Sequence, residues 1–178
     1  MILTDTKMLE FIKKGNIIIV PFDEKCLGCN SYDIHLSPNF AQYTSTVIDA
    51  KKDNEIKHFV IPEDGFVLKP GELYLGSTVE YTETYDCVPY LEGKSSTGRL
   101  GINIHATAGK GDVGFRGHWT LEISTSIPVI IYPYMPIGQL TYFNIYGKVK
   151  TPYFRKKSAK YDHQAGKPVA SNMWKNFL

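Results

Sequence analysis

The sequence predicts a mainly β domain with one short N-terminal helix. Short runs rich in Ile, Val, Tyr and Phe recur along the chain, and Pro and Gly separate them at the intervals of a β-sandwich or barrel. Only the first residues carry apolar side chains at helical spacing. The chain has 178 residues, of which 43% are apolar, so it can form one domain with a substantial core.

The helix is predicted over residues 4–14, and it is the only helix that the pattern supports. An apolar stripe is expected to face the core, and residues at both ends suit helix caps. The residues concerned are Thr4 or Asp5 at the start, Met8, Leu9 and Ile12 in the stripe, and Gly15 at the end.

The rest of the pattern consists of short strands. They are predicted over residues 17–20, 31–36, 66–68, 73–75, 78–81, 102–105, 119–124, 129–132 and 139–145. No repeat, low-complexity tract or long linker divides the chain, so residues 1–178 are interpreted as one domain.

Charge and composition exclude several functional classes. The formal net charge is +2, which gives no support for nucleic-acid binding. No apolar run is long enough to cross a membrane, and the N-terminus lacks the pattern of a secretory leader. We therefore expect a cytoplasmic protein with no nucleic-acid or membrane partner.

The cysteines Cys26, Cys29 and Cys87 argue against a disulfide framework, because their number is odd. Cys26 and Cys29 form a Cys-x-x-Cys pair, but no second Cys or His pair has zinc spacing, so reduced structural thiols are the simpler interpretation. Zinc deaminases carry His-x-Glu and Pro-Cys-x-x-Cys motifs, and the sequence has neither. The sequence therefore predicts no zinc site of that kind.

Residues 92–122 hold the densest set of chemically useful side chains. Residues 93–99, GKSSTGR, offer N–H groups, hydroxyls and two cations that suit a polyphosphate, although the first glycine of a Walker P-loop is missing. Residues 108–114 form a turn-rich loop in which Asp112 can accept a hydrogen bond from a sugar hydroxyl. Alternation turns Glu122 away from its apolar neighbours. Spacing alone leaves Glu122 as either a solvated surface residue or a catalytic carboxylate.

Several motifs occur in a characteristic order along the chain. They are EGKSSTGRLG at residues 92–101, HATAG at 105–109, Leu121-Glu122, IGQL at 137–140, and Lys160-Tyr161 followed by Gln164. Through these motifs the sequence resembles the dCTP deaminase family, which shares its fold with trimeric dUTPases. The resemblance implies a β-clip, dUTPase-like distorted barrel that assembles as a homotrimer with active sites between subunits.

The resemblance also implies roles for single residues. Glu122 would be the general base for the water that attacks C4 of cytosine, and Ser95 and Arg99 would complete the site across a subunit boundary. Asp112 would accept from the 3′-hydroxyl of deoxyribose. The residues implied to contact the base or the Mg²⁺-bound triphosphate are Lys94, Ser96, Ala106, Thr107, Ala108, Lys110 and Lys160. For Lys94 and Lys110, an ordinary position on the protein surface is an equally good interpretation. No metal ligand is expected from the protein.

Residues 151–178, called the tail below, are basic, rich in turn residues and poor in strand pattern. A solvated, frayed terminus is the ordinary interpretation of such a segment. Tyr153, Lys160 and Gln164 nevertheless match positions at which the family's tail folds over nucleotide. The resemblance therefore implies a lid that is ordered mainly when nucleotide is bound.

The expected function is hydrolysis of dCTP to dUTP and ammonia, in pyrimidine deoxynucleotide synthesis. A bifunctional, dUMP-forming enzyme is the main alternative, because residues 107–109 (TAG), Asp112 and residues 114–115 (GF) match the loop of dUMP-forming relatives. In those relatives the Asp also activates water against the α-phosphate. Gly111 and Val113 depart from that loop, and a flexible glycine pair in it could alter either activity. A dUTPase-like enzyme or a non-catalytic nucleotide-binding trimer also remains open, and dUTP and dTTP are further candidate ligands.

Overall fold

Ten β-strands dominate the computed structural model, which describes residues 1–178. The strands are β1 (Ile17–Val20), β2 (Tyr32–Tyr43), β3 (Ile56–Val60), β4 (Phe66–Leu68), β5 (Tyr74–Thr84), β6 (Cys87–Gly93), β7 (Ile102–Asn103), β8 (Arg116–Thr125), β9 (Val129–Ile131) and β10 (Pro136–Asn144). The helices are α1 (Asp5–Lys13) and α2 (Ser95–Arg99), and 3-10 turns cover Glu24–Cys26, Tyr153–Arg155 and Met173–Phe177.

Eight of these strands form one nearly closed, barrel-like sheet with the order β6-β10-β2-β5-β8-β7. Strand β1 pairs with β5, β3 pairs with β2, and all pairings are antiparallel. The long strand β2 pairs with β10 through its first half and with β3 and β5 through its second half. A register shift between Leu36 and Phe40 lies between the two halves, and such irregularities let a strand bend from one part of a barrel to the next. Strands β4 and β9 pair separately.

The core of the barrel follows from the period-two alternation of its strands. In β8, Trp119, Leu121 and Ile123 are buried in the core, whereas Thr120 and Glu122 on the other face are only half-buried. This alternation is the one that the sequence predicts. It places the Glu122 carboxylate on the face of β8 that points away from the core.

Helix α1 confirms the predicted helix, with Thr4 as its N-cap. Met8 is fully buried, but Leu9 is 37% exposed, so the stripe that enters the core is narrower than predicted. Gly15 follows the helix with φ of +74°, a conformation that favours glycine, and its N–H donates to the carbonyl of Ile12 at 3.0 Å.

The prediction of a single helix was wrong, because residues 95–99 form the short helix α2. It has no apolar stripe, and Thr97 holds its first turn instead. The Thr97 hydroxyl accepts from the Lys94 N–H at 3.1 Å and donates to the Lys94 carbonyl at 2.8 Å. Local hydrogen bonding of this kind leaves no periodic signal.

The strand prediction also missed β3 and β6, and it divided β5. Strand β6 contains Pro89, which weakened its pattern, although an edge strand such as β6 tolerates a residue without an N–H. Strand β5 runs unbroken through Gly76, where an added Cβ would lie 2.8 Å from Cδ1 of Ile123. Residues 76–77, where the sequence predicts a break in the strand, therefore belong to β5, and Gly76 allows β5 to lie close to Ile123 of β8.

Tyr142 gives a test of the core packing. Its side chain is entirely buried, its hydroxyl has no hydrogen-bond partner, and burial raises its pKa well above the usual value. Because an unpaired buried hydroxyl costs free energy, Tyr142→Phe is expected to leave the free energy of unfolding unchanged or to raise it by about 1 kcal/mol. The urea midpoint of unfolding measures this change.

Tyr32→Phe is the matched control for Tyr142→Phe. The Tyr32 hydroxyl is also in the core, but it accepts from the Asp23 N–H at 2.8 Å. Its removal is expected to cost about 1 kcal/mol. An equal loss of stability in both variants would show that the Tyr142 hydroxyl does have a partner.

Candidate active site

A cavity of about 620 Å³ lies between the β5–β8 part of the sheet, the loop before β8 and the tail. The lining residues that the sequence predicts as site residues are Thr107, Ala108, Lys110, Asp112, Glu122, Tyr153 and Gln164. The others are Tyr43, Leu73, Leu75, Gly111, Phe115, Trp119, Thr120, Tyr161, Val169, Ala170, Ser171 and Met173. Apolar and aromatic walls with a few polar groups are typical of a site for a small organic ligand.

Glu122 lies on the cavity face of β8, opposite Leu75 of β5. Its Oε2 atom accepts a hydrogen bond from the Ala106 N–H at 3.1 Å, which orients the carboxylate. No cationic side chain forms an ion pair with it, so Oε1 is left to accept a proton or a hydrogen bond from a ligand. A carboxylate held in this way can act as a general base.

The loop before β8 is attached to the edge of β6. The Leu91 N–H donates to the Gly109 carbonyl at 2.7 Å, and the Gly111 N–H donates to the Pro89 carbonyl at 2.8 Å. A Cβ added at Gly109 would lie 2.4 Å from the Leu91 carbonyl oxygen. The glycine pair therefore allows the loop to approach β6 closely.

Trp119 occupies the space beside Gly111. A Cβ at Gly111 would lie 2.5 Å from the Trp119 ring and 2.8 Å from the Pro89 ring. The indole packs against Phe115 with ring centroids 4.7 Å apart, and its Nε1 donates to the Thr82 hydroxyl at 3.0 Å. The large residue at 119 thus takes the room that a branched side chain at 111 would need.

Asp112 faces the cavity from the same loop. Its Oδ2 lies 3.6 Å from Nζ of Lys156 in the tail, and both side chains are nearly half exposed. Such an exposed pair contributes little to stability, roughly 0 to 1 kcal/mol. The carboxylate is therefore accessible to a hydroxyl or a water molecule in the cavity.

The tail forms one wall of the cavity. The Tyr153 N–H donates to the Val113 carbonyl at 2.8 Å, and the Tyr153 hydroxyl accepts from the N–H groups of Lys160 and Tyr161 at 3.1 and 3.0 Å. The Gln164 Oε1 accepts from the Thr120 hydroxyl at 2.7 Å. The structure thus packs the tail against the barrel, whereas the frayed-terminus interpretation places it in solvent.

The remaining predicted residues lie outside this cavity. Ser95, Ser96 and Arg99 are exposed on α2. Lys94 forms an ion pair with Asp33 of β2. Ala106 and Lys160 do not line the cavity, although residues next to them in the chain do. The Ala106 N–H donates to Glu122, and Nζ of Lys160 donates to the Asn176 side chain at 2.6 Å. One chain therefore brings only part of the predicted set together.

The sequence reasoning missed much of the apolar wall. Tyr161 could have been found, because it belongs to the Lys160-Tyr161 motif. Tyr43 carried no such signal: its hydroxyl accepts from the Ser171 N–H at 3.0 Å, and these two residues lie 128 positions apart. Contacts between residues so far apart in the sequence leave no local sequence pattern.

The thiols lie apart from the cavity. No disulfide bond joins the three cysteines, Cys26, Cys29 and Cys87. Burial raises the pKa of the Cys87 thiol to about 12. No three His, Cys, Asp or Glu side chains are grouped in a way that could hold a metal ion. Neither helix has the length and apolar composition of a membrane-spanning segment.

Comparison with known proteins gives consistent matches. Residues 2–145 match the family model described as dCTP deaminase-like. A Clostridium beijerinckii protein named "dCTP deaminase, dUMP-forming" is 47% identical over 177 residues, which are 99% of each chain. A Clostridium acetobutylicum protein with the same name is 45% identical over 178 residues, covering 100% of this chain and 99% of that one.

A solved structure shows a similar fold. The 2′-deoxycytidine 5′-triphosphate deaminase from Agrobacterium tumefaciens superposes with a TM-score of 0.64 and 19% identity, over 83% of this chain and 49% of that chain. At this identity the likeness concerns the fold alone. It confirms the barrel fold that the resemblance implies.

Gly111→Val tests the packing of the loop. The added side chain would collide with Trp119 and Pro89, so we expect a loss of about 1 to 3 kcal/mol in the free energy of unfolding. Urea unfolding measures this loss. Trp119→Leu in the same chain removes the collision with the indole, so the double variant is expected to lose less stability than the sum of the losses in the two single variants. If the two substitutions were simply additive, Trp119 would not be what occupies the space at residue 111.

Proposed function

Because the chain belongs to the dCTP deaminase-like family, we propose that it hydrolyses dCTP to dUMP, pyrophosphate and ammonia. Two water molecules are consumed: one replaces the amino group at C4 of cytosine, and the other cleaves the bond between the α- and β-phosphates. The observation that supports this proposal most directly is one cavity holding Glu122 and Asp112. Two separate carboxylates suit two separate hydrolyses.

Glu122 is assigned to the deamination. It takes a proton from the water that attacks C4, and it delivers that proton to the departing ammonia. The Ala106 N–H on Oε2 holds the carboxylate in one orientation, while Oε1 is free to contact the water. Thr107 and Ala108, which follow in the chain and line the same cavity, offer backbone groups to the edge of the base.

Asp112 is assigned to the second hydrolysis and to the sugar. A carboxylate at this position can accept from the 3′-hydroxyl and can activate water against the α-phosphate. The names of the relatives favour dUMP as the product over the dUTP that the sequence first suggests. The loop sequence, residues 107–109 with Asp112, favours dUMP as well.

The site is proposed to be shared between subunits of a homotrimer. Ser95 and Arg99 are exposed on α2 and do not line the cavity of their own chain. A rotational assembly can bring α2 of one subunit to the cavity of the next. Arg99 would then orient the Glu122 carboxylate, and Ser95 would contact the water or the amino group.

The triphosphate is proposed to enter with Mg²⁺ as part of the substrate. Lys94, Ser96, Lys110 and Lys160 supply the charges and the hydroxyl for it. Lys94 is also paired with Asp33, so it would share its charge between that carboxylate and a phosphate. The reaction is proposed to need no zinc and to take place in the cytoplasm, where unpaired cysteines stay reduced.

Product analysis tests this proposal. Purified protein is incubated with dCTP and Mg²⁺, nucleotides are separated by ion exchange, and ammonia is assayed in parallel. We expect dUMP, pyrophosphate and ammonia in equal amounts. Accumulation of dUTP with equal ammonia would establish the monofunctional deaminase instead, and a reaction without ammonia would leave a dUTPase-like enzyme or a nucleotide-binding trimer.

Two variants separate the two hydrolyses in the same assay. Glu122→Gln is expected to bind dCTP but to release ammonia at least about 100-fold more slowly, because the general base is lost. Asp112→Asn is expected to release ammonia while dUTP accumulates. Substantial ammonia release by Glu122→Gln would disprove the role of that carboxylate.

Subunit mixing tests the shared site. Glu122→Gln and Arg99→Ala chains with different tags are co-expressed, and mixed trimers are isolated. Each homotrimer is expected to be nearly inactive, whereas every mixed trimer is expected to have about one intact site in three, since each site needs Glu122 from one subunit and Arg99 from its neighbour. Co-expression of Glu122→Gln with the Glu122→Gln/Arg99→Ala double variant is the control and restores none. If the first mixture recovered no activity, Glu122 and Arg99 would act in a site built from a single chain.

A further inference from the structure

A bidentate ion pair between the tail and the barrel lies outside the cavity. Arg116, the first residue of β8, donates to both carboxylate oxygens of Asp162, through Nε at 3.1 Å and Nη2 at 2.6 Å. The two side chains are only 21% and 20% exposed. A bidentate pair with this burial is both stronger and more directional than an ordinary surface ion pair.

Arg116 forms its ion pair with the tail and not with its cross-strand neighbour. Glu83 lies directly opposite Arg116 in the β5–β8 pairing, yet the two form no ion pair. The Glu83 oxygens accept instead from the hydroxyls of Tyr81 and Tyr85, at 2.8 and 2.6 Å. The guanidinium carbon of Arg116 lies 4.6 Å from the ring centre of Phe154, so it contacts the tail at a second point.

The backbone around this ion pair places Gln164. The His163 N–H donates to the Arg116 carbonyl at 2.7 Å, and the His118 N–H donates to the Gln164 carbonyl at 3.0 Å. Gly117 has φ of +145°, and a Cβ there would lie 2.7 Å from the Gln164 nitrogen, so only glycine lets the tail approach this closely. Residues 162–164 are thus fixed alongside residues 116–118.

The Gln164 side chain is the part of this arrangement that reaches the cavity. Its Oε1 is held by the Thr120 hydroxyl at 2.7 Å, which directs the amide and leaves the Nε2 hydrogens as donors. Asp162 lies two residues before Gln164, and neither Asp162 nor Arg116 lines the cavity. Any effect of the ion pair on a ligand must therefore pass through the tail.

We infer that Arg116 and Asp162 are positioning residues that hold the tail in register on β8 and so place the Gln164 amide against the bound base. This inference rests on the proposed function for the identity of the ligand, a pyrimidine nucleotide. The packing of the tail against the barrel is a feature of the structure and does not depend on the proposed function. Removing either partner leaves Gln164 present but no longer fixed relative to Thr120 and Glu122.

The test compares Asp162→Ala, Gln164→Ala and the double variant in steady-state kinetics with dCTP. Asp162→Ala is expected to raise KM about tenfold and to change kcat by less than about twofold, because it loosens binding and leaves the reacting groups in place. In the Gln164→Ala background, the same substitution is expected to have almost no further effect on KM. Glu10→Ala, which removes the carboxylate of the Lys7–Glu10 pair on α1, is the matched control and leaves both constants unchanged.

Trypsin cleavage of the tail tests the register independently of catalysis. Cleavage after Arg155, Lys156 and Lys157 is expected to be about tenfold faster in Asp162→Ala than in the wild type, without nucleotide and with the same melting temperature. Arg116→Lys keeps the charge but loses the two-point contact, and is expected to give an intermediate rate.

Equal cleavage rates in all variants would overturn the positioning role, as would an additive KM effect of Asp162→Ala in the Gln164→Ala background. If the wild type released no ammonia from dCTP, the proposed function would fail while the cleavage rates still reported on the tail. The KM arm would then be replaced by equilibrium binding of dCTP, with the same expected coupling between Asp162 and Gln164.

Discussion

The antiparallel register between β5 and β8 is the constraint on which the candidate site depends. It places Leu75 opposite Glu122 near one end and Glu83 opposite Arg116 at the other. Because side chains alternate along a strand, a shift of one residue would turn Glu122 into the core and expose Leu121. The burial of the apolar residues of β8 therefore fixes the position of the carboxylate and of the arginine that contacts the tail.

Much of this local arrangement could be predicted from the sequence, because it follows from short-range patterns. The spacing of apolar residues predicts both helix α1 and the alternation of buried and exposed side chains in β8. Strand β6 was missed because Pro89 argues against a strand, although an edge position tolerates it. Helix α2 was missed because hydrogen bonds of Thr97, and not an apolar face, hold it together.

The composition of the site was harder to predict, for a geometric reason. Motifs identify residues that act together, but a single chain does not bring all of them into its own cavity. Glu122 and Asp112 meet in one cavity, whereas Arg99 lies exposed on α2. Apart from Tyr161, the apolar wall was beyond prediction, since contacts such as that of Tyr43 with Ser171 join segments that only the folded barrel brings together. Such contacts follow from the whole topology.

The tail has a consequence for the order of folding. Its contacts with the barrel join residues that are far apart in sequence, and closing such long loops is entropically costly until the barrel has formed. A folding chain can therefore pass through a stage with a complete barrel and an undocked tail. At that stage the apolar side of the cavity, which Leu75 and Trp119 help to line, would lack the wall that the tail forms, and exposed apolar surface promotes self-association. Docking of the tail, which closes one side of this cavity, is therefore expected to reduce self-association of the newly folded barrel.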